Sequence, residues 1–506
     1  MYLTQGLHRS VQSAPDAIAT ISGARIRTFA EHVERVSRLA AALQHLGVAP
    51  NDRVAILALN SDRYAEYLSA VPWADAVLAP INTRWSAQEV SYALNDSDTR
   101  ILLVDDAFTA IAADACVTSP GVESVVHCGD GPTPPQMLNY EQLIAQHTPV
   151  GDPRRSGHKL AGLFYTGGTT GFPKGVMLSH TNLVTSALGA VASGNLVQQD
   201  SVLLHAAPMF HLADLSAWLG QCMLGGTHVF IPAFEPTSVF RAIETHRVTD
   251  VVLVPTMIQM LVDHPDVGGY DLGSLQRILY GGSPISEGVL NRTMSRFPDV
   301  ALTQAYGMTE LAAVATLLGP ANHHGDRLRS AGAVAPHAEV RVIDAAGVEL
   351  TPGHVGEICV RGGNVMRGYW NKPEETRAAL IDGWMHTGDA GYFDDRGYLF
   401  VVDRIKDMIV TGGENVYAAE VENVLSRHPA VAAVAVIGIP SDKWGESVHA
   451  CVVSTPGSAA TAEELRDYVR GRIAAYKSPR TIDFVDGLPM SGAGKVLKRQ
   501  LRELYH

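Results

Sequence analysis

Cysteine is scarce, positive charge is outweighed, and no long apolar run occurs; each lack removes a class of protein. Five cysteines (Cys116, Cys128, Cys222, Cys359 and Cys451) are scattered over 506 residues. No two stand at C-x-x-C or zinc-ligand spacing, so the spacing encodes neither a metal finger nor a disulfide framework. An odd, widely spaced set suits reduced thiols packed as small hydrophobes in a cytoplasmic protein. Met1 to Ala19 holds no apolar core of an export signal. The longest apolar run, Val431 to Ile439, falls far short of the ~20 residues a spanning helix needs. No transmembrane segment is expected, while peripheral membrane contact and a homodimer stay open. Lysine and arginine number 39 against 52 acidic residues, a net −13. No nucleic-acid partner is expected from such a balance, and any anionic ligand must be met by local basic groups or backbone N–H groups. Repeats and low-complexity tracts are absent.

What is present is an alternation. Strand-length apolar runs at Val54–Leu59, Ile101–Val104, Val202–Leu204, Thr227–Ile231, Val251–Val254 and Leu275–Leu279 are separated by helical patterns. The helices include Tyr64–Ala74, Leu215–Met223, Ser238–Thr245 and Glu287–Phe297. This predicts α/β layers built on largely parallel sheets. From Glu339 the pattern becomes short strands between Gly/Asp turns (Val340–Ile343, Gly356–Val360, Tyr398–Val402), a β-rich subdomain. After Arg404 it resets: helix Ala419–Arg427, strands Val431–Ile437 and Val448–Val453, helix Glu463–Ala475, strand Thr481–Val485. About 100 residues suffice for an independent α+β unit. The expected division is 1–403 for a large N-terminal domain and 404–506 for a small C-terminal one, with Thr148–Arg155 as an exposed linker.

One stretch carries most of the chemistry. Tyr165-Thr166-Gly167-Gly168-Thr169-Thr170-Gly171-Phe172-Pro173-Lys174-Gly175 follows the apolar strand Leu160–Tyr165 and precedes a helix near Thr181. Four glycines let backbone N–H groups turn inward, the threonines add hydroxyls, and Lys174 adds a point charge; together they suit a polyphosphate. A Walker A loop is excluded. Pro173 and Gly175 flank the lysine where that motif runs straight into a helix, and no Ser/Thr follows to hold magnesium.

Further motifs follow in order: Gly281-Gly282-Ser283-Pro284, Gln304-Ala305-Tyr306-Gly307-Met308-Thr309-Glu310, Thr387-Gly388-Asp389, Asp403-Arg404-Ile405-Lys406-Asp407, Gly412-Gly413 and Gly494-Lys495. The set resembles the acyl-adenylate-forming superfamily, from about Ala14 to Arg502. Two departures stand out: Gly168 follows Gly167 where the family's loop has a serine hydroxyl, and Asp214 stands three residues after His211, where a glycine is common.

The resemblance implies a large N-terminal domain of parallel-sheet α/β subdomains plus a β-rich subdomain, with a small mobile α+β C-terminal domain. It implies an ATP-dependent acid–CoA ligase using ATP, Mg2+ and coenzyme A. An acyl-AMP forms with loss of pyrophosphate, and the acyl group then passes to coenzyme A. Lys495 is the expected catalytic lysine. Thr309 would reach the α-phosphate and Glu310 would hold the metal. His211 matches a gate between acyl pocket and thiol channel. Thr166, Gly167, Gly168, Thr169, Thr170, Gly171 and Lys174 would wrap the phosphates. Gly281, Gly282, Ser283, Gln304, Tyr306 and Gly307 would line the adenine and the acyl pocket. Asp389 would bind the ribose and Arg404 would contact the nucleotide. Lys406 would be the hinge, and Gly412, Gly413 and Trp444 would receive coenzyme A, with Arg84, Lys477 and Arg480 near its phosphates. The pocket stretches offer Leu212, Ala213, Leu311 and Ala312, which favours an apolar acid, fatty or aromatic, with a slight lean to medium or long acyl chains. The alternatives are an adenylating enzyme that loads a carrier-protein phosphopantetheine, and a non-catalytic nucleotide- or acyl-binding protein.

Overall fold

The run Arg53–Leu57 is almost wholly apolar, and a strand of that kind needs cover on both faces. It receives it. In the computed structural model, Arg53–Leu57 lies centrally in an eight-stranded sheet whose parallel part comprises Leu138–Asn139, Ser124–His127, Thr99–Val104, Arg53–Leu57, Val77–Pro80 and Leu160–Thr166. Lys174–Ser179 and Gly368–Tyr369 close one edge antiparallel. The structure describes residues 1–166, 173–194, 196–412, 414–458, 460–490 and 496–505, and of Lys406 and Asn415 the backbone alone.

A second, nine-stranded sheet has six adjacent parallel strands: Ala301–Tyr306, Arg277–Gly281, Asp250–Leu253, Val202–His205, Thr227–Phe230 and Ile18–Ser22. One apolar cluster runs from Val54 and Leu68 to Leu215, Trp218 and Phe230, so the two sheets share a core. One helix in that shared core, Asp62–Trp73, has no solvent face. Every residue of Asp62–Trp73 is buried, including Asp62 and Glu66. Buried charges persist only when paired. Arg25 donates to Asp62 at 2.8 Å, and Arg35 and the Tyr140 hydroxyl donate to Glu66.

The β-rich unit is antiparallel, in the order Ala338–Ile343, Gly356–Gly362, Trp384–Phe393, Leu380–Ile381, with Leu399–Arg404 also paired to Trp384–Phe393. The last sheet uses only residues beyond 403–407: Glu414–Val416, Ile409–Thr411, Gly445–Ser454 and Val431–Ser441, with Thr481–Phe484 parallel to Gly445–Ser454. Two expectations need correction. The helix expected over 463–475 ends at Arg470, where Gly471 takes the cap, and a short 3-10 turn follows at Ala475–Lys477. The stretch 148–155 is anchored at its end. Arg155 is buried and donates to Asp75 and Asn51 at 2.6 Å each. Among the described residues no helix is long and apolar enough to cross a membrane.

Candidate active site

The motif turns meet where parallel strands end. Tyr306 closes the strand Ala301–Tyr306, and Gln304 lies on the same strand. Gly281 closes its neighbour, and a Cβ there would lie 2.2 Å from Ala305 O, so glycine is required for the two strand ends to approach. Gly282 turns the chain with φ +81°, leading to Ser283. Gly307 and the 3-10 turn Thr309–Leu311 then carry Glu310 inward, with Thr309 half-buried beside it.

Two polar clusters result. In the first, the Tyr306 hydroxyl donates to Asp389 Oδ2 at 2.8 Å, and Arg404 Nε sits 3.1 Å from Asp389 Oδ1. Sheet register explains the second contact, because Asp389 and Arg404 are direct partners on adjacent antiparallel strands. Burial, reinforced by the Asp389 carboxylate, drives the Tyr306 pKa well above the phenol range, so this hydroxyl stays a donor. In the second, the Tyr369 hydroxyl donates to the buried Glu310 Oε1 at 2.7 Å. Lys174 Nζ stands 5.0 Å over the Tyr369 ring. Burial and then the Glu310 charge push Tyr369 up in the same way.

Thr166 and Lys174 face each other as Cα partners on the two strands that flank 167–172. That stem is braced from outside: the Tyr165 hydroxyl donates to Asp96 Oδ2 at 2.7 Å, and Trp370 Nε1 to Asp96 O at 2.8 Å. Lys174 opens a strand, not a helix, which agrees with the exclusion of a Walker A loop. The expected site residues Gly167, Gly168, Thr169, Thr170, Gly171, Gly413 and Lys495 lie outside the described residues.

His211 occupies the N-cap position of the helix Leu212–Leu224, its ring 4.1 Å from that of Phe210. Asp214, one turn on, is fully buried and takes a hydrogen bond from His205 Nδ1 at 2.7 Å; His205 Nε2 meets His228 Nδ1 at 2.9 Å.

Trp444 belongs to the other sheet. It sits in the turn between Val431–Ser441 and Gly445–Ser454, with the Arg480 guanidinium 4.4 Å and Lys443 Nζ 4.9 Å from its ring. Gly412 N donates to Trp444 O at 2.8 Å with φ +61°, and a Cβ on Gly412 would reach within 2.9 Å of the indole. Lys477 pairs with Glu420 at 2.7 Å, so its charge is matched within the sheet's own unit. The helix Lys498–Glu503 braces Asp407 and the helix Ala418–Leu425: Arg502 pairs with Asp407 at 2.8 Å, and Lys498 with Glu422 at 2.8 Å. Burial lowers the Lys498 pKa, but the carboxylates of Glu422, Asp403 and Asp407 outweigh it and the net shift is upward.

Sequence reasoning missed Tyr369. It stands in a two-residue strand, too short to show a period, and only its pairing with Val176 brings it beside Glu310.

A model of the AMP-binding enzyme family matches residues 7–370, and one of the AMP-binding enzyme C-terminal domain matches residues 420–495. A feruloyl-CoA synthase of an Amycolatopsis species is 39% identical over 502 residues, 98% of each chain. The fatty acid–[acyl-carrier-protein] ligase ScoC of Streptomyces coeruleorubidus is 37% identical over 515 residues, 99% of this chain and 96% of its own. Among solved structures, o-succinylbenzoate CoA synthetase (MenE) of Bacillus subtilis, in complex with its acyl-adenylate intermediate OSB-AMP, superposes with TM-score 0.87 at 32% identity. That match covers 98% of this chain and 97% of that one.

Proposed function

Because this chain belongs to the AMP-binding enzyme family and is an AMP-forming acid–CoA ligase, we propose that it activates an apolar carboxylic acid, aromatic in the first instance, through an acyl-adenylate. The observation that carries the reading is the convergence of Tyr306, Asp389 and Arg404 with Glu310, Tyr369 and Lys174 beside the stem of 167–172. A tyrosine face suits a purine, and a carboxylate suits two ribose hydroxyls. Lys174 and Arg404 supply positive charge where two anions, carboxylate and triphosphate, have to meet.

In the first step the substrate carboxylate attacks the α-phosphorus of ATP and pyrophosphate leaves. Lys174, Arg404 and, by its motif, Lys495 neutralise the charge that gathers there, and Thr309 donates to the α-phosphate. The buried Glu310 carboxylate fits a hard cation such as Mg2+, which when bound supplies further neutralisation of phosphate charge. The Tyr369 hydroxyl orients that carboxylate. In the second step a thiol attacks the acyl carbonyl and AMP leaves. Trp444 between Arg480 and Lys443 suits the adenine and phosphates of coenzyme A. We place the division between the two working parts at 403/404, which is supported by the separate sheet that begins at Ile409.

An apolar acid is supported by Asp214. Asp214, the carboxylate singled out from the pocket stretches as able to meet an amino-acid substrate's ammonium, already accepts from His205 in a fully buried pair. Similarity to a feruloyl-CoA synthase supports an aromatic acid over the medium or long acyl chain to which the pocket residues and the resemblance leaned slightly. A second reading replaces coenzyme A by a carrier-protein phosphopantetheine, supported by the similarity to ScoC. The test is ATP-dependent AMP formation over benzoates, cinnamates, C2–C16 fatty acids and amino acids, with coenzyme A or a carrier protein as acceptor. Turnover is expected with cinnamates and strict dependence on coenzyme A. A maximum on amino acids would overturn the apolar pocket, and thioester formed on the carrier protein alone would establish the second reading.

A further inference from the structure

Cysteine spacing along the chain shows no metal site, but sheet register brings three metal-ligating side chains together. In the antiparallel unit, Cys359 is the Cα partner of His386 on one neighbouring strand and of Arg341 on the other. Partners of this kind point to the same face, with Cβ atoms roughly 5 Å apart. The register shifts between Glu357 and Cys359. Such a bulge re-aims a side chain, and here Glu357 Oε2 comes to 2.8 Å from His386 Nδ1. A carboxylate oxygen, a thiol sulfur and an imidazole nitrogen then lie within 4.8 Å of one another.

We propose that Glu357, Cys359 and His386 form a Zn2+ site, with water as the fourth ligand. Ligands on one tetrahedral zinc, bonded at ~2.0–2.3 Å, stand roughly 3.5 Å apart, so a small inward movement of the three side chains closes the shell. The donor set of sulfur, nitrogen and one carboxylate is borderline-soft and selects zinc over magnesium or calcium. Burial keeps the Cys359 thiol protonated, its pKa pushed up to about 12; zinc takes the place of that proton, which leaves to solvent. Two negative ligands neutralise Zn2+, so the nearby Arg341 guanidinium faces a site of no net charge. An outer shell exists: Gly388 N donates to Glu357 Oε1 at 3.1 Å. An entry path exists too, since the side chains of His386 and Glu357 are 17% and 23% exposed. Gly388 adjoins Asp389 on the same strand, so occupancy acts next to the residue that carries this carboxylate.

Cobalt(II) is the probe, because it occupies tetrahedral zinc sites and reports a thiolate ligand by a sulfur-to-metal charge-transfer band. The chelator-stripped full chain should show this band with one equivalent of Co2+. Equimolar Zn2+ should bleach it, and a large excess of Mg2+ should not. Cys359→Ser should abolish the band. His386→Gln, at a half-buried position that tolerates an amide, should weaken Co2+ by more than the ~10–100-fold that loss of an outer-shell partner costs. No band in the native sequence, or a band undiminished in Cys359→Ser, overturns the site. Should Cys359→Ser fail to fold, unchanged Co2+ affinity in His386→Gln overturns it equally. None of these readouts depends on ligase activity.

Discussion

The cluster around Tyr306 and Glu310 and the surface around Trp444 are built on opposite plans. In the first, Asp389 and Glu310 are buried, and each accepts a tyrosine hydroxyl from a different strand. Such dipoles are fixed before substrate arrives and need no reorganisation during reaction. In the second, Trp444 is half-exposed between two cations. The unit that carries it meets the body through Arg427–Glu287 at 2.7 Å and Gln259–Ala432 at 3.2 Å. Arg427 is 38% exposed, and solvent-screened pairs of this kind contribute about 0–1 kcal/mol. A rigid site and a partner held by an exposed contact suit the proposed reaction, in which two steps would need different groups at one place.

The sharpest way to break that contrast is to remove charge from the first step. Glu310→Ala and Lys495→Ala should each slow pyrophosphate release by ~10²–10³. A loss confined to thioester formation would move these residues to the second step. Acid should next separate the regions. His32 is buried neutral, its pKa held down to about 4 by burial, and His228 lies well below the imidazole range for the same reason. Folded pKa values below the unfolded ~6.5 mean that the unfolded chain binds more protons under pH 6.5. Stability is therefore full above 6.5 and falls as pH drops toward 4, by about 2 kcal/mol per such histidine at pH 5. Five of the six tryptophans (Trp73, Trp85, Trp218, Trp370, Trp384) belong to the body, so fluorescence-monitored urea unfolding reads that region. Its midpoint should be lower at pH 5 than at pH 7.5, and an unchanged midpoint would contradict the buried neutral pair.

Trp444→Ala should raise the KM for coenzyme A by about tenfold, in line with stacking worth ~1–3 kcal/mol, and leave pyrophosphate release unchanged. An effect on the first step would place Trp444 against the adenylate. Smallest is Arg427→Ala. It should change the ratio of thioester formation to adenylation by less than about fivefold, because one exposed pair is lost. A loss of both steps together would show that the contact holds the fold and not the arrangement of the two parts.

Much of this was legible in the chain. The strand expected at Val251–Val254 is Asp250–Leu253, and the helix expected over Glu287–Phe297 is Glu287–Arg296. Tyr306, Glu310, Asp389 and Arg404 were found as motif positions because the order of motifs is itself informative. Tyr369 was not, since two residues of strand have no period. Nor was the tether at Arg155, because an arginine in a Pro/Gly-containing stretch, next to Arg154, reads as solvated until Asp75 and Asn51 are known to face it.

The sequence by itself determined the layer architecture and the family, because periodicity and motif order are local properties. The tertiary structure alone decided that Asp214 serves His205, that Tyr369 serves Glu310, and that Glu357, Cys359 and His386 share one face. Those are matters of strand register and burial. A shift of one residue in pairing would send each side chain to the other face, and no local pattern in the chain records the register.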